Sequence, residues 1–268
     1  MATEPGSTTN TEAHSKSEVE WSNDILFIIG GILTGIVNTI SGSGTLFSMG
    51  VMTLTGIPLV MANTTTRPGV FFQNLTGILV LKKFNHFNLK QLQWPPILAT
   101  LVGAMLGAWC ATVVSNASFN LIASVVMLGL LITYIFPAKL IRKSKIKFPK
   151  SGLLIALLLF LGGFYGGFVQ IGVGILILVI LSGAYQMTYN EANTYKLIVI
   201  LIYTVPTTLY FSLTDNILWR PAILLTVGQV IGAYGAARFI SKNDKAHLWA
   251  KVISILMIVA TLVKVWFY

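Results

Sequence analysis

Hydrophobic residues run along this chain in blocks that approach the length of a membrane span, parted by short polar breaks. From Ile25 onward the pattern predicts ten apolar helical segments: 25–40, 44–57, 62–82, 93–114, 118–137, 151–170, 174–186, 191–212, 219–240 and 247–267. About 20 apolar residues cross a hydrocarbon core of roughly 30 Å, so most of these blocks read as spans. The second and seventh are too short to span comfortably. Each follows a glycine-containing break, Ser41-Gly42-Ser43-Gly44 in one case and Gly172-Val173-Gly174 in the other. Residues 1–24 depart from the pattern, being polar and rich in Ser, Thr and Glu, without the basic start and apolar stretch of a signal peptide. They read as a disordered tail.

Composition removes the soluble alternative. Of 268 residues, 55% are hydrophobic and 10% charged, with a mean hydropathy of +0.79, too few charges to cover the surface of a soluble protein of this size. The single cysteine, Cys110, excludes an intramolecular disulfide. The net charge of +10 is mostly a topology signal. Lys82, Lys83 and Lys90 follow the third segment; Lys139, Arg142, Lys143, Lys145, Lys147 and Lys150 follow the fifth; Lys242 and Lys245 follow the ninth. Placing these loops in the cytoplasm satisfies the positive-inside rule and puts the N-terminus outside, with a bacterial inner membrane as the expected bilayer. The bases flank spans and lack interleaved aromatics, so no nucleic-acid partner is expected.

Self-comparison shows an internal repeat. Gly42-Ser43-Gly44 recurs as Gly172-Val173-Gly174, and Ala62-Asn63-Thr64 as Ala192-Asn193-Thr194, both 130 positions later. Trp94-Pro95-Pro96 recurs as Trp219-Arg220-Pro221, and Gly103 and Gly107 as Gly228 and Gly232, 125 positions later. Each half carries five segments, and an odd number makes the second copy enter from the opposite face. The expected fold is therefore an all-α integral membrane protein of two inverted five-segment repeats. The first two segments of each repeat are broken or re-entrant at a glycine-rich turn. The expected organisation is a tail (1–24), a first repeat (25–137), a basic cytoplasmic linker (138–150) and a second repeat (151–268). Inverted repeats frame many secondary transporters, with the substrate site near the midplane.

The candidate chemistry lies at the breaks. A half-helix starting inside a bilayer presents unpaired N–H groups and a positive dipole end, which suits an anion. Ser41, Gly42, Ser43, Gly44 and Thr45 supply such groups in the first half, and Gln170, Gly172 and Gly174 in the second; glycines that only permit close helix packing are the plainer reading. Arg67 and Lys196 follow the two Ala-Asn-Thr motifs within a helical turn, and between Ile25 and Tyr189 there is no Asp or Glu. A buried cation without a carboxylate is costly, and an anionic substrate would neutralise it. Snorkelling to headgroups is the alternative for both, and Glu191 is a possible partner for Lys196 as well as the one candidate for proton coupling. Asn63, Thr64, Asn193 and Thr194 supply neutral polar groups at matching depth, for substrate or for inter-helix hydrogen bonds. Asn38 precedes the first break, while Gln73 and Asn74 lie one or two turns beyond Arg67 on the same path. Trp94 and Trp219 read as interfacial anchors. Signatures of an enzyme are missing: there is no Walker A run, no His-Glu-x-x-His and no Cys cluster, so no catalytic residue, cofactor or metal is expected.

These features resemble the sulfite exporter TauE/SafE family over residues 25–268: two copies of a glycine-rich turn, an apolar hairpin and an Ala-x-x-Thr segment, each half closed by glycine-spaced helices. The glycine stretch is shorter here, Gly-Ser-Gly-Thr in place of a longer glycine run. The resemblance implies transport of a small sulfur-containing or other organic anion, such as sulfite or a sulfonate. The expectation is an exporter working by alternating access. Its rivals are a cation carrier or channel, which calls for intramembrane carboxylates, and a membrane scaffold or enzyme, which needs no paired breaks or else a catalytic cluster.

Overall fold

The computed structural model describes residues 8–82, 94–135, 151–187, 189–240, 255, 259 and 261–267. Among them there is no strand, and ten helices are laid out in order: α1 (Thr8–Ile40), α2 (Thr45–Leu54), α3 (Leu59–Thr65), α4 (Arg67–Lys82), α5 (Trp94–Val113), α6 (Asn116–Ile135), α7 (Gly152–Phe168), α8 (Val173–Tyr185), α9 (Tyr189–Leu213) and α10 (Trp219–Ile240). A further helical stretch covers 261–267, and the remainder of the tenth sequence segment, like the basic loops after α4, α6 and α10, lies outside the described residues. Among the described residues, four stretches are long and apolar enough to cross a bilayer: Asn23–Ile40, Trp94–Val113, Glu191–Leu213 and Trp219–Phe239. At 1.5 Å per residue, α2 and α8 rise only about 15 and 20 Å, short of a hydrocarbon core. The start of α1 at Thr8 brings part of the polar stretch before Ile25 into the same helix.

Local chemistry explains where the helices stop. α1 ends as Ser41 and Gly42 both donate their backbone N–H to Val37 O, and Gly42 takes φ 85°, a left-handed conformation that glycine adopts without a Cβ clash. α6 starts two residues earlier than its apolar run because Ser115 caps it, its Oγ accepting from Ser118 N–H at 3.2 Å. The sequence segment 62–82 is two helices, divided at Thr66. Pro68 has no N–H to donate back to Thr64 O, and it sits in the first turn of α4, where that loss is harmless.

Two helix pairs frame the molecule. α1 lies along α10 and α5 along α7, each with glycines on both partners. A Cβ on Gly31 or Gly35 would strike the backbone of Leu225 or Gln229, and one on Gly228 or Gly232 the backbone of Ile28 or Ile32. Gly103 and Gly107 meet Phe160 and Phe164, while Gly163 and Gly167 meet Thr100 and Ala104. Residue numbers rise together across both contacts, so each pair is parallel, and small residues let the backbones approach as membrane helices do. Asp24 and Arg220 close an ion pair of 2.9 Å where α1 and α10 run side by side.

The distribution of polarity is the reverse of a soluble protein's. Leu153, Leu213, Trp94, Val113 and Trp219 stand exposed on the outside, while Arg67, Lys196, Asn63, Asn193, Gln73, Gln170 and Gln229 are buried. In hydrocarbon every polar group must find its partner within the protein, so polar side chains gather inside and apolar ones face lipid.

Candidate functional site

The two helix breaks meet each other. The link Ser41–Gly44 follows α1, and the link Val169–Gly172 follows α7, with Gly172 at φ 70°. Gly174 N–H donates to Gly42 O at 3.2 Å, and a Cβ on Gly42 would come within 2.6 Å of Gly174 Cα. The N–H of Gly174, expected to face an anion, is thus engaged by the opposing break in this state.

Asn63 and Thr45 hold the second break from the side of the first half. Asn63 Nδ2 donates to Phe168 O at 2.9 Å, and Asn63 Oδ1 accepts from Gln170 N–H at 3.1 Å. Thr45 Oγ1 donates to Gln170 O at 2.9 Å. Ser41 Oγ is 3.0 Å from Ser43 Oγ and donates to Val37 O at 2.9 Å, so the serine hydroxyls are used within their own break. Gly44 packs against Asn38.

Both cations reach across to a carbonyl end of a broken helix. Arg67, fully buried, donates from Nη2 to Gly167 O at 2.5 Å and from Nη1 to Thr207 Oγ1 at 3.4 Å, and its guanidinium stacks 4.8 Å over the Phe211 ring. Lys196, also fully buried, donates from Nζ to Asn38 O at 3.1 Å and to Asn193 Oδ1 at 2.7 Å. Asn38 stands 130 positions before Phe168, so Asn63 in one half and Lys196 in the other reach corresponding carbonyls. Cations at the negative ends of α1 and α7 are favoured by the helix dipoles. Neither cation snorkels outward, and among the described residues no carboxylate pairs with either one. Glu191, in the first turn of α9, is not among the partners of Lys196.

Other sequence candidates separate from this centre. Thr64 Oγ1 donates to Asn216 O, and Thr65 Oγ1 accepts from Leu218 N–H at 3.1 Å, so this pair secures the entry to α10. Thr66 Oγ1 lies 2.6 Å from Ser48 Oγ and accepts from Gln229 Nε2 at 3.3 Å. Thr194 is buried in the same turn of α9 as Asn193. Gln73 and Asn74 are buried on α4, and neither atom of the Gln73 amide has a partner. Sequence reasoning missed Tyr203, Thr207 and Phe211, which line one face of α9 at four-residue spacing beside Arg67. Pro206 inside that apolar segment marks the place, since proline within a span disrupts the helix ladder.

A chain with several apolar helices, an apolar exterior and a charged, carboxylate-poor centre at meeting helix breaks is a multi-pass membrane transporter in its construction. It belongs to the sulfite exporter TauE/SafE family, whose model matches residues 27–265. It is similar to a "Probable membrane transporter protein" of Haemophilus influenzae, 23% identical over 85% of this chain and 89% of that protein. A second relative, "Probable membrane transporter protein ORF9" of a Sinorhizobium species, is 22% identical over 87% of each. No solved structure matches the chain significantly.

Proposed function

We propose that this chain exports a small anion, sulfite or an organosulfonate, by alternating access, with the site between two inverted repeats spanning 25–137 and 151–268. The observation that carries the reading is the pair of fully buried cations whose partners are all neutral. Two buried cationic side chains, without a carboxylate partner among the described residues, favour an anionic ligand over a cation in a low-dielectric interior. The family name adds sulfite as the substrate class.

The packing supports inverted repeats. In a chain of ten alternating segments whose repeats have five each, the first and ninth run the same way, as do the fourth and sixth. Those are the parallel pairs α1 with α10 and α5 with α7. Each repeat thus lends a helix to the other, and the breaks face one another at the centre, where rocking of one repeat against the other would expose them alternately. An inside-negative potential drives anion exit by roughly 2.3 kcal/mol per charge per 100 mV, so export needs no coupling ion.

The protein is placed in the inner membrane with residues 1–24 outside and the linker 138–150 in the cytoplasm. With Cys110 changed to serine, Ser144→Cys is expected to resist an impermeant thiol reagent added to intact cells and to react after permeabilisation; labelling from outside inverts the orientation. The substrate class is tested by thermal unfolding of purified protein with sulfite, methanesulfonate, acetate or metal chlorides. Sulfite or methanesulfonate is expected to raise Tm, the stabilisation reaching about 2.7 kcal/mol at a concentration near 100 times Kd. Stabilisation by a cation and by none of the anions overturns the reading.

A further inference from the structure

Three polar side chains with unspent hydrogen-bonding groups converge where the end of α7 meets α4 and α9. Gln170 is 1% exposed. Its backbone is gripped at both ends, the N–H by Asn63 and the carbonyl by Thr45, yet neither atom of its side-chain amide has a partner. Arg67 spends Nη1 and Nη2 on Thr207 and Gly167 O, leaving Nε buried and unpartnered. Tyr203 stands one turn before Thr207 on α9, fully buried, its hydroxyl unpartnered. That hydroxyl is packed against Gly166, where a Cβ would lie 2.8 Å from it. It interacts electrostatically with Arg67 and approaches the Gln170 amide, without closing a hydrogen bond of good geometry to either.

A buried polar group without a partner gives up its hydration with nothing in return, a larger loss where charge is involved. Native structures hold few such groups. Here three sit together on separate parts of the chain, with rigid surroundings: Arg67 is locked by two hydrogen bonds and a ring, Gln170 by its backbone, and Tyr203 by a glycine that leaves room for its oxygen. Their chemistry is also one-sided. The unspent protons are one on Nε, two on the amide nitrogen and one on the hydroxyl, and amide Oε1 is the acceptor left over. A cluster with excess donors beside a guanidinium calls for a ligand made of acceptors and carrying negative charge.

We propose that Arg67, Gln170 and Tyr203 form the seat for the head group of a singly charged three-oxygen acid, each giving it one hydrogen bond, from Nε, Nε2 and the hydroxyl. Three separate donors match three oxygens; a carboxylate offers two, and a halide a single centre. One guanidinium balances one charge. The single guanidinium charge favours hydrogensulfite or an organosulfonate monoanion over the doubly charged sulfite ion, and Gln170 Oε1 further accepts the proton that hydrogensulfite keeps. This seat rests on the anion-transport reading above and gives that reading its contact residues, adding Tyr203, which the sequence motifs do not mark.

The test uses full-length protein in liposomes, with methanesulfonate and acetate as probes and Tyr203→Phe and Gln170→Leu as variants. Each variant is expected to raise KM for methanesulfonate about 10- to 100-fold, the worth of a hydrogen bond to a charged group. Each should also lose the rise in Tm that methanesulfonate gives the wild type. The ligand-free Tm should stay level or rise, because an unpartnered buried group has been removed; a merely structural role predicts a fall in ligand-free Tm with KM unchanged. Should Gln170→Leu fail to fold, Tyr203→Phe, which deletes a single oxygen, decides alone. Wild-type transport of methanesulfonate with both variants at wild-type KM overturns the seat and leaves the transport reading standing. A wild type that carries neither anion overturns both.

Discussion

Arg67→Ala is expected to reduce anion flux in liposomes by about 30-fold or more, the largest functional loss of any single replacement in the centre. Truncating one member of a buried, hydrogen-bonded charge contact costs roughly 2–5 kcal/mol, about 30- to several-thousand-fold in affinity. Among the described residues Arg67 is the one guanidinium at the meeting of α4, α7 and α9, and it also holds Gly167 O, Thr207 and the Phe211 ring in place. Flux must therefore be normalised to folded, monodisperse protein. Arg67→Lys separates the two roles: it keeps the charge but loses the planar fork, so partial flux with raised KM is expected. Unchanged flux in Arg67→Ala removes this residue from the site.

Gly42→Ala is expected to damage folding severely, through backbone strain and overpacking together. Gly42 has φ 85°, where an L-residue costs about 1–3 kcal/mol, and overpacking adds about 1–3 kcal/mol. The new methyl would sit 2.6 Å from the Cα and carbonyl carbon of Gly174, which are backbone and cannot rotate away. A loss of about 2–6 kcal/mol is a large part of the 5–15 kcal/mol that usually separates folded from unfolded protein. Gly56→Ala is the control. Gly56 also has positive φ, 93°, but nothing lies within 4 Å of its added Cβ, so it should lose only the backbone part. Thermal unfolding of both in detergent checks the difference, and equal losses would mean that the two breaks do not interlock.

The helices were legible in the sequence because lipid makes a simple demand: a long apolar block is a helix, and its polar punctuation is a boundary. Segments 93–114 and 219–240 correspond to Trp94–Val113 and Trp219–Ile240, and the short block 174–186 to Val173–Tyr185. The division at Thr66 was hidden, because the polar stretch Asn63-Thr64-Thr65-Thr66-Arg67 reads as candidate chemistry within one helix, and the proline after it is tolerated in a first turn. The site was legible in residue type and not in direction. Arg67 stood out for lacking a carboxylate nearby in sequence and Lys196 for following the second Ala-Asn-Thr motif, but that they turn toward Gly167 O and Asn38 O, 100 and 158 positions away, follows from how the halves fold together. Tyr203 looked like one more apolar-segment aromatic, and only its burial beside Gln170 and Arg67 separates it from the rest.

The central claim, that this molecule carries small oxyanions, is tested most directly in potassium-loaded liposomes containing methanesulfonate or sulfite, with valinomycin setting an inside-negative potential. Protein-dependent exit of the anion is predicted, faster with increasing potential and lost in Arg67→Ala. No anion exit above protein-free liposomes, or a protein-dependent cation current in its place, would contradict it.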